Sequence, residues 1–102
     1  MTGNAGKRQR TFQLDLLQAD LNIGFALVRS AQASYRTGED SHAWRNLEAA
    51  RDALRDASRL CSGVGERDAR QFEPALGELR AQIESTEQLS RRGRLRVAMV
   101  YN

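Results

Sequence analysis

Gly38 lies between two segments with helical periodicity that only a few residues separate, so the two helices must fold back on each other. The first pattern reaches Tyr35, and a glycine at position 38 provides the left-handed residue that commonly ends a helix. Asp40 or Ser41 is the predicted N-cap of the next helix. The sequence therefore predicts an antiparallel helical hairpin over residues 27–60.

Apolar and small residues recur at alternating steps of three and four in three segments, which is the spacing of a helix face that packs against other helices. In the first segment they are Leu14, Leu17, Leu21, Gly24, Val28, Ala31 and Tyr35. In the second they are Ala43, Leu47, Ala50, Leu54, Ala57 and Cys61. In the third they are Ala69, Phe72, Leu76, Leu79, Ile83 and Thr86. These three seams predict an all-α fold, an antiparallel three-helix bundle with up-down-up topology.

A chain of 102 residues is long enough for one domain, and we expect the bundle to cover residues 11–91. The predicted helices span residues of about 12–36, 41–61 and 66–91. Pro74 leaves two alternatives for the third helix: it begins at Pro74, or it begins near Glu66 and bends at the proline. Ala69 and Phe72 stay in phase with the residues after the proline, which favours the bent helix.

Gly24, inside the first seam, lowers helix propensity by about 1 kcal/mol relative to Ala, and we expect a bulky side chain to approach it closely in compensation.

Several apolar residues lie outside the seams. The surplus apolar residues, beyond those that three helices are expected to cover, are Leu16, Ile23, Phe25 and Trp44. If they form a contiguous exposed patch, the patch is a candidate interaction surface.

The net charge of +3 comes from the two ends of the chain, because residues 12–90 carry −4. The basic residues at the ends are Lys7, Arg8, Arg10, Arg91, Arg92, Arg94 and Arg96. Such ends are candidate contacts for nucleic acid or another anionic surface. We expect residues 1–10 to be disordered, and residues 92–102 to be flexible or, because apolar residues alternate there, strand-like.

The sequence contains no recognisable set of catalytic or cofactor-binding residues. His42 and Cys61 are the only residues of their types, so the chain has no ordinary zinc-binding set, and we expect an exposed His42 and a buried Cys61. The glycines at 63 and 65 are not followed by the Lys-Ser/Thr of a phosphate-binding loop. We therefore expect no cofactor, no metal and no enzymatic activity.

The predicted location is the cytoplasm, since the N-terminus lacks an apolar signal segment and no stretch is apolar enough to cross a bilayer. Tyr35 and Trp44 flank the turn and are expected to pack in the core, but either would anchor a partner if it is exposed. With Phe25 they are the candidate partner-binding residues.

The predicted function is a non-catalytic protein–protein interaction module, which associates with itself or binds a partner helix or peptide. The alternative is a nucleic-acid-associated protein that binds through its arginine-rich ends. Salt-sensitive binding, lost when both ends are removed, would distinguish the alternative.

The hairpin resembles a single tetratricopeptide-type repeat. The matching large, small and turn positions are Leu27, Ala31, Gly38, Ala43, Leu47 and Ala50. The sequence departs from the repeat at Ser34, where an aromatic residue is usual, and at Arg55, where a proline is usual. With its third helix the chain also resembles the microtubule-interacting-and-trafficking domain. Both resemblances imply binding of a peptide or helix in a groove.

Overall fold

The computed structural model describes the backbone of residues 3–101 and the side chains of residues 6–91. Within that backbone the chain forms three α-helices: α1 (Gly3–Arg36), α2 (Asp40–Gly63) and α3 (Glu66–Tyr101). Each helix contacts both others, and the α1–α2 contact is the most extensive. The predicted all-α three-helix bundle is confirmed.

Gly38 ends α1 as predicted, with a φ of +80°. The N–H of Glu39 donates to the carbonyl of Ser34 at 2.8 Å, and the N–H of Gly38 donates to the carbonyl of Tyr35 at 3.3 Å. These are the two hydrogen bonds of a Schellman motif. The hydroxyl of Thr37 also donates to the Ser34 carbonyl, at 3.1 Å. The last turn of α1 is therefore closed by local hydrogen bonds.

The predicted N-cap of α2, Asp40 or Ser41, was wrong. Glu39 holds that position and makes no side-chain capping hydrogen bond. Its carbonyl accepts the N–H of Ala43 at 3.0 Å, while its own N–H completes the motif that ends α1. The turn is so short that one residue serves both helices, and Asp40 is left to place a carboxylate in the first turn of α2.

The predicted seams form the core. Its buried members are Leu17, Leu21, Val28, Ala31, Leu47, Ala50, Ala57, Cys61, Leu76, Leu79 and Ile83. Gly24 is also buried, close to side chains of both α2 and α3. Leu54 is only half-buried, and Ala53 is buried one position earlier. A small residue is favoured there because it faces Gly24.

α1 and α3 run parallel, and polar contacts fix their stagger. Arg10 pairs with Asp68 near one end, and Gln32 donates to the hydroxyl of Thr86 at 3.1 Å towards the other. Since α2 has 24 residues against 34 in α1 and 36 in α3, both longer helices extend beyond it. The bundle is accordingly elongated, measuring 71 × 20 × 14 Å.

The structure differs from the sequence-based expectation at both ends. α1 begins at Gly3, not near Thr11, and α3 continues to Tyr101. The alternating pattern after residue 92 favours a strand only where another strand can pair with it, whereas a helix satisfies its own backbone hydrogen bonds. The strand-like alternative was therefore wrong. At the other end, residues 3–10 were expected to be disordered but are helical, and Arg10 pairs with Asp68 across the bundle.

Pro74 lies inside α3, which is helical from Glu66 onward. The start at Pro74 was therefore wrong, since the proline lies inside the helix. The predicted bend at Pro74 stays a prediction. Pro74 is exposed, so the carbonyl that loses its helical hydrogen bond can be hydrated. Within the described residues, no helix contains an apolar run long enough to span a membrane.

Candidate interaction surface

α1 carries a second apolar row besides the one that it buries. Its members follow one another at steps of four, three, four and three residues and are all exposed: Phe12, Leu16, Ala19, Ile23 and Ala26. We call this row the outer stripe. Phe12 is 64% exposed, Leu16 40% and Ile23 51%, which are large fractions for side chains of this size. The outer stripe is thus a continuous apolar strip on the surface of one helix.

The geometry of the bundle explains why the outer stripe is uncovered. The seam that α1 buries, centred on Leu21 and Gly24, contacts both neighbouring helices. The outer stripe follows the same three-four rhythm on a different face of α1. A helix with two apolar faces needs partners on both, and the described chain supplies partners for one.

Charged residues flank the outer stripe. Asp15 and Arg29 lie on the same edge, two helical heptads apart, and both are exposed. Neither pairs with an oppositely charged group among the described side chains. On the other edge Asp20 is half-buried. Burial is the larger cause that raises the pKa of its carboxyl, and the nearby charge of Asp56 on α2 raises it further. The edge with Asp15 and Arg29 therefore offers charges for a partner.

The structure brings none of the three predicted partner-binding residues into the outer stripe. Phe25 is half-buried against the core and lines a shallow groove between α1 and α3. Tyr35 is also half-buried, and its enclosed hydroxyl has no hydrogen-bond partner among the described residues. Neither presents its ring as an exposed anchor.

Trp44 is 43% exposed, so it is not the core residue that the sequence favoured. Its ring lies under the guanidinium of Arg51, whose central carbon is 5.4 Å from the ring centroid. Arg51 also pairs with Glu48 on its own helix and with Glu87 of α3, the latter at 2.9 Å. Trp44 is thus part of a surface cluster that joins α2 to α3, whereas the outer stripe lies on α1.

Two of the basic residues predicted to contact anions form ion pairs within the chain. Arg10 makes a bidentate contact with Asp68, with both N–O distances at 2.7 Å, and Arg91 contacts Glu87 at 3.0 Å. Lys7 and Arg8 are exposed. The side chains of Arg92, Arg94 and Arg96 lie outside the described part of the structure. Among the side chains of residues 6–91, the predicted basic residues are therefore not assembled into one basic surface.

Asp68 is the acidic partner in the contact with Arg10, and only 6% of it is exposed. The hydrogen bonds from the Arg10 guanidinium hold the pKa of the Asp68 carboxyl below its usual value, although burial acts in the opposite direction. A bidentate, charge-assisted contact of this kind has defined geometry. It fastens the start of α3 to α1, which is a structural role.

Cys61 is buried, as expected, and its thiol donates weakly to the carbonyl of Ala69 at 3.7 Å. Burial, and then the charge of Glu73, raise the pKa of this thiol, so it is protonated at neutral pH. His42 is exposed. Among the described residues, no group of three or more His, Cys, Asp or Glu side chains is placed to hold a metal ion.

Leu16 and Ile23 were predicted as surplus apolar residues, whereas Phe12 was not. Phe12 lies next to the segment that was expected to be disordered. The sequence feature that could have identified Phe12 is the regular three-four spacing of the outer stripe. Its two alanines, Ala19 and Ala26, are common in any helix and so conceal that spacing.

Comparison of the chain with protein-family models, with curated proteins and with solved structures gives no match.

Proposed function

We propose that this chain is a non-catalytic protein–protein interaction module whose contact surface is the outer stripe of α1. The observation that carries the proposal is the exposure of Phe12, Leu16 and Ile23 in one row along the helix. Single exposed apolar residues are normal on proteins, but a continuous row indicates a surface that another molecule covers.

The shape of the outer stripe indicates the class of partner. Its residues span about 21 Å along α1 at 1.5 Å per residue, and they form a narrow row, not a pocket. A three-four spacing of apolar residues fits the matching face of another helix, as in coiled coils. An amphipathic helix is therefore the proposed partner, in agreement with the binding that the resemblance to a tetratricopeptide repeat implies.

The test compares two lysine substitutions at residues of almost equal exposure. Ile23→Lys changes the centre of the outer stripe, whereas Leu89→Lys changes a residue that is 53% exposed on α3. Tagged full-length chains are cross-linked in the native cells and recovered. We expect the unchanged chain and Leu89→Lys to recover the same cross-linked protein and Ile23→Lys to lose it. Equal recovery by all three chains would exclude the outer stripe as the contact surface.

Binding of nucleic acid through the basic ends stays a prediction. The ion pairs of Arg10 with Asp68 and of Arg91 with Glu87 weaken it, since both arginines are already engaged. Nucleic-acid binding would appear as an affinity that falls steeply with salt and does not change in Ile23→Lys.

A further inference from the structure

We infer that the outer stripe binds the outer stripe of a second copy of this chain, with the two α1 helices antiparallel. This inference rests on the proposed function and names the partner. Two observations support it: the sizes of the residues along the outer stripe, and the charges on one of its edges.

The outer stripe begins with two large residues and ends with a small one, and Ala19 and Ile23 alternate between them. Phe12 and Leu16 open the row, Ala26 ends it, and the next step of four residues is the exposed Ser30. In an antiparallel pair related by a two-fold axis near residue 21, each large residue meets a small one. The facing pairs are Phe12 with Ser30, Leu16 with Ala26, and Ile23 with Ala19 of the second copy, each occurring twice.

Alternation of large with small side chains lets two helices interdigitate without gaps. The alanines also let the two helix axes approach closely. A parallel pair would place Phe12 on Phe12 at one end and Ala26 on Ala26 at the other. Such a pair is crowded at one end and leaves a gap at the other, so the sizes favour the antiparallel arrangement.

The charges favour the same arrangement. In an antiparallel pair, residues on the same edge of the two helices face each other, so Asp15 of each copy meets Arg29 of the other. Symmetry makes this contact twice, and both residues lack an ion-pair partner among the described side chains. In a parallel pair Asp15 would instead face Asp20 of the second copy, which is repulsive.

Asn22 lies midway between Asp15 and Arg29 on this edge, so the two copies of Asn22 face each other at the two-fold axis. Asn22 is exposed and carries no charge. On the opposite edge Asp20 lies near Asp56 and is half-buried between α1 and α2. That edge is thus the one turned towards α2. The pairing therefore depends on the outer stripe and on the edge that carries Asp15 and Arg29.

The first measurement is the mass of the purified full chain by sedimentation equilibrium, from low micromolar to high micromolar concentration. We expect the mass to rise with concentration from the 11.4 kDa of the single chain to twice that value. Ile23→Lys should weaken the association by more than about tenfold, because it places two charges in the apolar interface of each dimer. Leu89→Lys should leave the association unchanged.

The second measurement tests orientation by exchanging charges on exposed residues. Asp15→Arg and Arg29→Asp, each alone, convert both contacts into repulsions and should weaken the dimer roughly fivefold. The double substitution restores opposite charges and should recover the affinity of the unchanged chain. Asp52→Asn, on the exposed face of α2, is the control and should have no effect.

The outcomes separate this inference from the proposed function. A chain that stays at 11.4 kDa at every concentration overturns the second copy as partner, and the cross-linking comparison still decides whether the outer stripe binds another protein. A dimer that survives Ile23→Lys excludes the outer stripe as its interface. A dimer that Ile23→Lys abolishes but that the double charge exchange does not restore overturns the antiparallel register.

Discussion

The Cβ atom that Gly24 lacks would lie 2.6 Å from Cδ2 of Leu79 and 3.5 Å from Cβ of Ala53. Leu79 belongs to α3 and is fully buried, and Ala53 belongs to α2. The three helices thus meet at a glycine, and only a hydrogen atom fits between α1 and the Leu79 side chain. This contact compensates for the helix propensity that a glycine loses in the middle of α1.

Gly24→Ala should lower the free energy of unfolding by about 1 kcal/mol. The overpacked methyl group costs about 1–3 kcal/mol, and the gain in helix propensity offsets only part of it. Gly77→Ala is the matched control: Gly77 lies inside α3, and a Cβ there would meet nothing within 4 Å. It should raise the free energy of unfolding by roughly 0.5–1 kcal/mol. Urea denaturation followed by circular dichroism measures both, and a gain for Gly24→Ala would show that Leu79 moves aside freely.

The predictions that succeeded rest on local chemistry. The seams around Leu21, Leu47 and Leu79 follow from helical periodicity, and the turn follows from the glycine at position 38. The close approach at Gly24 was predictable because a glycine in a buried seam needs a compensating contact. Such features depend on residues within one or two helical turns, so the sequence displays them directly.

The predictions that failed depend on contacts between distant residues. Arg10 and Asp68 are 58 positions apart, and no periodicity indicates that they pair. The sequence of α1 contains more apolar residues than one face needs, but periodicity alone does not determine which face the other helices cover. That choice depends on how α2 and α3 pack, which places Phe25 partly in the core and leaves Phe12 exposed.

Asp68→Asn should make the free energy of unfolding change less with pH in the acid range. Because Arg10 lowers the pKa of Asp68 in the fold, its ionised form stabilises the folded state above the ordinary value of 3.8. This stabilisation is lost as the pH falls through the lowered pKa. The variant should therefore be less stable than the unchanged chain at pH 7 and equally stable at the most acid pH.

The measurement is the urea midpoint between pH 2 and pH 7. Asp52→Asn is the control, since Asp52 pairs with Arg55 at 3.3 Å on an exposed face and should contribute little at any pH. A constant difference between Asp68→Asn and the unchanged chain across this range would show that the charge of Asp68 does not contribute.

Asp20→Asn should raise the stability of the bundle at pH 7, whereas Asp68→Asn should lower it. Burial and Asp56 raise the pKa of Asp20, so its ionised form is less favourable in the folded chain than in the unfolded chain. The resulting loss of stability appears as the pH rises from 3.8 through the raised pKa. We therefore expect the variant to be more stable than the unchanged chain at pH 7 and no different at pH 2.5, by the same urea titration. Destabilisation at pH 7 would mean that the carboxylate makes a favourable contact in the fold.

Tyr35→Phe and Thr86→Val each remove one enclosed hydroxyl group, and only Thr86→Val should destabilise the bundle. The hydroxyl of Tyr35 has no partner among the described residues, so its removal should leave the free energy of unfolding unchanged or raise it by up to about 1 kcal/mol.

The hydroxyl of Thr86, which is fully buried, donates to the carbonyl of Gln82 at 2.7 Å and accepts from Gln32 at 3.1 Å. Thr86→Val keeps the shape of the side chain but loses both hydrogen bonds, so it should lower the free energy of unfolding by about 1 kcal/mol. Thr86→Ser, which keeps the hydroxyl, separates this loss from the loss of packing. If Tyr35→Phe destabilises the bundle as much as Thr86→Val does, the Tyr35 hydroxyl is hydrogen-bonded in solution. Its partner would then be a water molecule or a group outside residues 6–91.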